Sequence, residues 1–127
     1  MKKAMLTLAA LLLGATTVHA NDAEAILGAT ESLMLEILER NALRPDDAVS
    51  CIFTLTDDLD AEFPAVAARE MGLSSVPLLC AREIPVPGAL PRVIRVLIHG
   101  YKPDGTPPEH VYLGDAVKLR LDLQGAQ

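Results

Sequence analysis

Aromatic residues are scarce: 127 positions hold two Phe, two Tyr and no Trp. A single-strand nucleic-acid binder needs aromatic platforms for base stacking, so that class is excluded. Positive charge is short as well. Eleven Lys and Arg stand against 17 Asp and Glu, and a formal net charge of −6 opposes binding to a phosphate backbone. The only two cysteines, Cys51 and Cys80, are too few for a disulfide framework and lack zinc-ligand spacing. No P-loop, GxGxxG, GxSxG or HExxH pattern occurs. Neither an internal repeat nor a linker is visible. The longest apolar run, from Ala4 to Val18, carries Thr7, Thr16 and Thr17 and falls short of the ~20 residues a membrane span requires. A stable membrane association is therefore not expected.

What is present suits one folded domain over residues 1–127. Half of the residues are hydrophobic and 22% are charged, enough to bury a core without disulfide staples. The first twenty residues admit two readings. Met1-Lys2-Lys3, an apolar stretch and Val18-His19-Ala20 imitate a secretory signal peptide cleaved after Ala20. Alternatively, Leu11 to Val18 is the first strand of the domain. Composition by itself favours the signal peptide.

Further along, Asn21 with Glu24 three positions on fits a capping box. Ile26, Leu27, Leu33, Met34, Ile37 and Leu38 recur at helical spacing, with Thr30 where the stripe skips. This predicts a helix of about five turns ending near Asn41. Ala48 to Leu55 reads as a strand, and Pro64 to Met71 as a short helix closed by Gly72. Val76 to Arg82 reads as a second buried strand, Arg92 to His99 as the clearest one, and Gly100 to Pro108 as a loop. His110 to Leu113 and Ala116 to Arg120 read as short closing strands, and residues 124–127 as a loose end. The order gives an α+β or mixed α/β fold, a small sheet packed with two helices.

Some residues need explaining. Arg95 interrupts Val93-Ile94-Arg95-Val96-Leu97-Ile98, a strand apolar on both faces. Arginine is almost never fully buried without a partner. It is either half of a structural ion pair, a side chain reaching solvent, or a fixed planar donor for an anion or ether oxygen. Glu83, ending the preceding strand, is a solvated surface carboxylate, the partner of Arg95, or a hydroxyl acceptor in a cleft. Cys80 reads as a small core residue, because no base is spaced to activate it. His19, His99 and His110 share no spacing and read as surface or structural residues. Asp57, Asp58, Asp60 and Glu62 form an acidic turn without the twelve-residue calcium-loop pattern. The inventory contains arginines but no nucleophile, metal set or acid–base pair. That points to binding a small anion, or to a reaction without proton transfer.

From Gly14 onward an ordered set of segments is shared with a known family. It comprises Gly14-Ala15-Thr16-Thr17-Val18, Phe63-Pro64-Ala65 with Ala68-Arg69-Glu70, Val76-Pro77, and Cys80 with Glu83. Ile94-Arg95-Val96, His110-Val111-Tyr112-Leu113 and Ala116-Val117 with Leu119-Arg120 follow. No one segment is specific, but their order and spacing resemble those of the AroH-type chorismate mutases, small α/β trimers of the Bacillus kind. The resemblance spans about nine tenths of the chain. It implies a cofactor-free, metal-free isomerase converting chorismate to prephenate for phenylalanine and tyrosine synthesis. It further implies a cytoplasmic homotrimer with active sites between subunits, and residues 14–18 retained as a core strand. An exported form, cleaved after Ala20, is the alternative.

By the same resemblance Arg95 is the cation at the ether oxygen and Glu83 accepts the ring hydroxyl, with Cys80 nearby. Tyr112 binds a carboxylate. Phe63, Ala65 and Arg69 come from a neighbouring subunit, and Leu119 and Arg120 belong to a C-terminal segment that closes the site. The chain departs from the pattern at Leu13, where the family has an arginine that binds a substrate carboxylate, and less consequentially at Val66. The departure opens a second reading: a homologue that holds a small aromatic dicarboxylate without turning it over.

Overall fold

A computed structural model describes residues 8–120. The basic Met1-Lys2-Lys3 segment and the predicted loose end at 124–127 lie outside the described residues. The elements are β1 (Leu8–Thr17), α1 (Ala23–Arg40), β2 (Ala48–Leu55), α2 (Ala65–Glu70), β3 (Leu78–Arg82), β4 (Val93–Lys102) and β5 (Val111–Tyr112). The strands form one mixed sheet in the order β3-β2-β4-β1-β5. The central pairs β1–β4 and β2–β4 are antiparallel, and the outer pairs β2–β3 and β1–β5 are parallel.

Residues 8–17 form a strand. β1 pairs with β4 over ten consecutive positions, from Leu8 opposite Lys102 to Thr17 opposite Val93. It starts three residues before Leu11, because Leu8 to Ala10 continue the ladder. Gly14 is where α1 presses on the sheet: a Cβ there would stand 2.5 Å from Ile37 Cδ1 and 3.0 Å from Leu33 Cδ1. A larger residue would have to push those two methyl groups aside, so glycine gives the closest approach.

α1 supplies the apolar side of the core, through Ile26, Leu33, Met34, Ile37 and Leu38. Its cap is Asp22, not Asn21. Asp22 has extended backbone and its Oδ1 accepts from Ala25 N at 2.8 Å. Asn21 is engaged elsewhere: its Oδ1 accepts from Asp60 N and Ala61 N, and its Nδ2 donates to Asp60 Oδ1 at 2.8 Å. Thr30 does not interrupt the buried stripe, because its hydroxyl donates back to Ile26 O at 2.7 Å and the residue is buried. Against α1 pack Leu12, Phe53, Val96 and Ile98 from the strands, with Ala65, Ala68 and Leu73 from the α2 region. Burying a ring such as that of Phe53 contributes about 1.5–3 kcal/mol relative to exposure.

Four other boundaries differ from the sequence reading. β3 is a half-exposed edge strand beginning at Leu78, with Leu79 59% exposed, because it pairs with β2 alone. β4 runs past His99 to Lys102, which is only 3% exposed. Its ammonium is bonded to Asp104 and Thr106, and that bond holds the Asp104 carboxyl down at about 2. β5 shrinks to Val111–Tyr112. Ala116 to Arg120 are not a strand: Gly114–Ala116 form a 3-10 turn and residues 117–120 are helical. A spacing of three turns Ala116 and Leu119 inward, whereas alternation would have grouped Ala116 with Lys118 and Arg120.

Gly114 makes that reversal with φ +58, and a Cβ on it would lie 2.5 Å from Thr17 Oγ1. The same Oγ1 accepts from Asp115 N at 3.0 Å. Gly114→Ala therefore meets both backbone strain and a clash. It is expected to destabilise the chain by about 1–3 kcal/mol, read as a lower urea midpoint.

Both helices lie on one side of the sheet. On the other side Leu79, Ile52, Leu97 and Leu13 stand in register across β3, β2, β4 and β1. None of these four is buried, and Leu11 and Tyr101 extend the exposed surface along β1 and β4.

Candidate active site

One row of directly paired residues crosses all five strands: Ala81, Thr54, Arg95, Ala15 and Tyr112. Direct partners point to the same face, and this row lies on the face away from the helices. Arg95 is thus placed by β4 alternation. Ile94, Val96 and Ile98 go into the core, while Arg95 and Leu97 remain partly open. Glu83 follows β3 and is fastened by its own N–H, which donates to Leu55 O at 2.8 Å. From there its Oε2 reaches to 2.9 Å from Arg95 Nε. The side chains of Arg95 and Glu83 are 38% and 19% exposed, so the pair sits at a partly open sheet surface rather than in the core.

The pair is not a closed hydrogen-bonded fork. Nε is buried and makes no hydrogen bond, because Glu83 Oε2 lies close to it but out of line with its N–H. That oxygen accepts instead from Thr54 Oγ1. No hydrogen bond engages the terminal nitrogens of Arg95 among the described residues. A neutralised but unclosed guanidinium in a partly dry setting is a ready donor for an oxygen that gains negative charge.

Beyond Arg95 the row continues through the methyl of Ala15 to Tyr112. Two strand spacings of ~4.8 Å separate the β4 and β5 backbones, or roughly 10 Å, a suitable span for a small dianion. Leu13 lies on the same face, one pair along, opposite Leu97. It brings an alkyl chain where the resemblance implies a carboxylate-binding guanidinium. Its backbone N–H donates to His110 Nδ1 at 3.1 Å, which gives His110 a structural task at the β1–β5 edge.

The remaining predicted residues do not join this row within one chain. Cys80 is opposite Phe53, whose ring is fully buried, so its side chain faces the helix side. There it lines a cavity of about 390 Å3 with Phe63, Leu59 and Arg82. Phe63 is 66% exposed beside that cavity. Ala65 is in the core, where it sets the start of α2 rather than offering a surface. Arg69 is exposed in the last turn of α2. Leu119 is half-buried and Arg120 exposed on the closing helical segment. Cys51 has no part in the site: burial pushes its thiol up to about 11, so it is protonated at neutral pH. Asp58 receives Arg92 N on both carboxylate oxygens and Thr56 Oγ1 on one, acting as a brace for a turn. Thr54 was invisible in the sequence as a site residue, since a threonine in a strand of β-formers carries no signal of its own.

Residues 10–123 match the family described as chorismate mutase type I. Among curated relatives, the chorismate mutase AroH of Thermus thermophilus is 52% identical over 118 residues, covering 90% of this chain and 95% of the relative. That of Bacillus subtilis is 42% identical over 113 residues, covering 87% and 88%. A solved chorismate mutase from Clostridium thermocellum superposes with a TM-score of 0.81 at 46% identity, covering 86% of this chain and 98% of that one. Sequence and fold agree, and the chain belongs to the type I chorismate mutase family.

Proposed function

We propose that this chain, as one domain, is a chorismate mutase, rearranging chorismate to prephenate in aromatic amino acid synthesis. The observation that carries the reading is Arg95, a half-exposed guanidinium beside Glu83 whose Nε makes no hydrogen bond. The rearrangement is unimolecular and moves no proton, so the site needs neither nucleophile nor general base, and no cofactor. It has to hold a flexible dianion in its chair-like conformer and place positive charge beside the ether oxygen. As the C–O bond breaks, that oxygen becomes more negative and its hydrogen bond to Arg95 strengthens. An interaction stronger in the transition state than in the ground state raises kcat. Glu83 accepts the ring hydroxyl, and Tyr112 binds a carboxylate at the other end of the row.

The working form in this reading is a homotrimer. The apolar row Leu79, Ile52, Leu97 and Leu13 is uncovered in one chain, which supports burial against other copies. Phe63 and Arg69, exposed on their own chain, then complete a neighbour's site, Cys80 borders the ring, and Leu119 and Arg120 close over it. Size-exclusion chromatography with light scattering is expected to give three chains per particle, with activity lost on dilution to monomer. A fully active monomer contradicts the trimer.

The cytoplasm is the proposed location. Cleavage after Ala20 would remove β1, which pairs with two strands, and leave β4 paired with β2 alone and β5 with no partner. No helix among the described residues is long and apolar enough to cross a membrane. Mass spectrometry of the protein from its native host tests the location, since a chain starting at Asn21 overturns it. Loss of chorismate absorbance over the uncatalysed rate tests the activity itself.

A further inference from the structure

Thr54 is second in the row, the direct partner of Arg95 on one side and of Ala81 on the other. Its hydroxyl donates to Glu83 Oε2, the same oxygen that lies 2.9 Å from Arg95 Nε. A carboxylate this close to a guanidinium ordinarily closes into a straight, often bidentate, hydrogen-bonded fork. Here Nε is buried and makes no hydrogen bond. The oxygen is near enough to bond and is aimed elsewhere. The register gives the reason, because β2 runs between β3 and β4 and puts the Thr54 hydroxyl between the origins of the two charged side chains.

We infer that Thr54 is a positioning residue: its hydroxyl holds Glu83 aside so that the carboxylate neutralises Arg95 without occupying its donor fork. The terminal nitrogens of Arg95 and Oε1 of Glu83 are then left for substrate. The inference rests on the chorismate mutase reading and deepens it, since it assigns the availability of the essential cation to a neutral side chain that touches neither reacting atom.

Thr54→Val swaps the hydroxyl for a methyl in the same shape and suits a strand, so the sheet is preserved. The freed carboxylate is expected to turn onto Nε and a terminal nitrogen in the crystal structure of the variant. In the intact trimer kcat is expected to fall about tenfold or more, the scale of a lost hydrogen bond to a charged group. Thr54→Ser retains the hydroxyl and is expected to recover most of that loss, which a purely steric role of Thr54 does not predict. The inference is overturned if Glu83 keeps its offset position in Thr54→Val, if that variant turns over like the wild type, or if serine is no better than valine. Absence of wild-type turnover sinks the functional reading. Wild-type turnover with an unmoved Glu83 in Thr54→Val sinks the assignment of Thr54 alone.

Discussion

Replacing Arg95 by glutamine is expected to lower kcat by about a hundred- to a thousandfold, the cost of removing one preorganised donor to a developing oxyanion. KM should change far less, because the donor matters most once charge has moved onto the ether oxygen. Arg95→Lys separates charge from shape. It keeps a cation but loses the planar fork and the fixed direction of its N–H groups, so its loss should fall between those of the wild type and glutamine. The variants must first be shown to be trimeric, since truncating Arg95 leaves Glu83 without its cation. The residual hydrogen bond from Thr54 to Glu83 limits that disturbance. If glutamine at this position supports wild-type turnover, the electrostatic account of the site is wrong.

Restoring a guanidinium at position 13 is expected to have an effect of similar size in the opposite direction. Leu13 faces the site side of the sheet, one pair along from the Arg95–Ala15–Tyr112 row, and its side chain brings no charge to it. A charge-assisted pair to a desolvated anion is worth roughly 2–5 kcal/mol, so even the low end gives Leu13→Arg about a thirtyfold gain in kcat/KM. The opposing cost is local: Leu13 sits half-buried against Leu97 in the apolar row proposed to face other copies. Steady-state kinetics on Leu13→Arg, with light scattering to confirm the trimer, decide between the two. If neither the wild type nor Leu13→Arg exceeds the uncatalysed rate, the chain is a dicarboxylate-binding relative and not an enzyme.

Arg95 could be found in the sequence because an ion in a strand with two apolar faces must be explained, whatever the fold. Glu83 was legible as one of three readings, and the 2.9 Å approach places it beside Arg95, a position compatible with the hydroxyl contact proposed for its other oxygen. Thr54 could not be found that way. Its importance comes from β2–β3 and β2–β4 registers that join it to residues 27 and 41 positions away, and no local pattern encodes a register. The same holds for Leu13, whose neighbours Leu97 and His110 arrive from the far end of the chain. The remaining differences have separate causes. Asn21 and Asp22 are both good caps, and a tertiary bond to the turn at Asp60 and Ala61 engages Asn21. The closing segment was too short for its period of three to stand out from alternation. β2, by contrast, was legible to its ends because turn residues bound it on both sides.

The central claim is that the Arg95 guanidinium faces the breaking bond of a bound dianion. The most direct test is a crystal structure of the trimer with an oxabicyclic dicarboxylate that mimics the chair-like transition state. The account predicts a terminal nitrogen of Arg95 about 3 Å from the ether oxygen, with Glu83 on the ring hydroxyl and Tyr112 at a carboxylate. A bound mimic whose ether oxygen meets water or another residue, with Arg95 turned away, contradicts it.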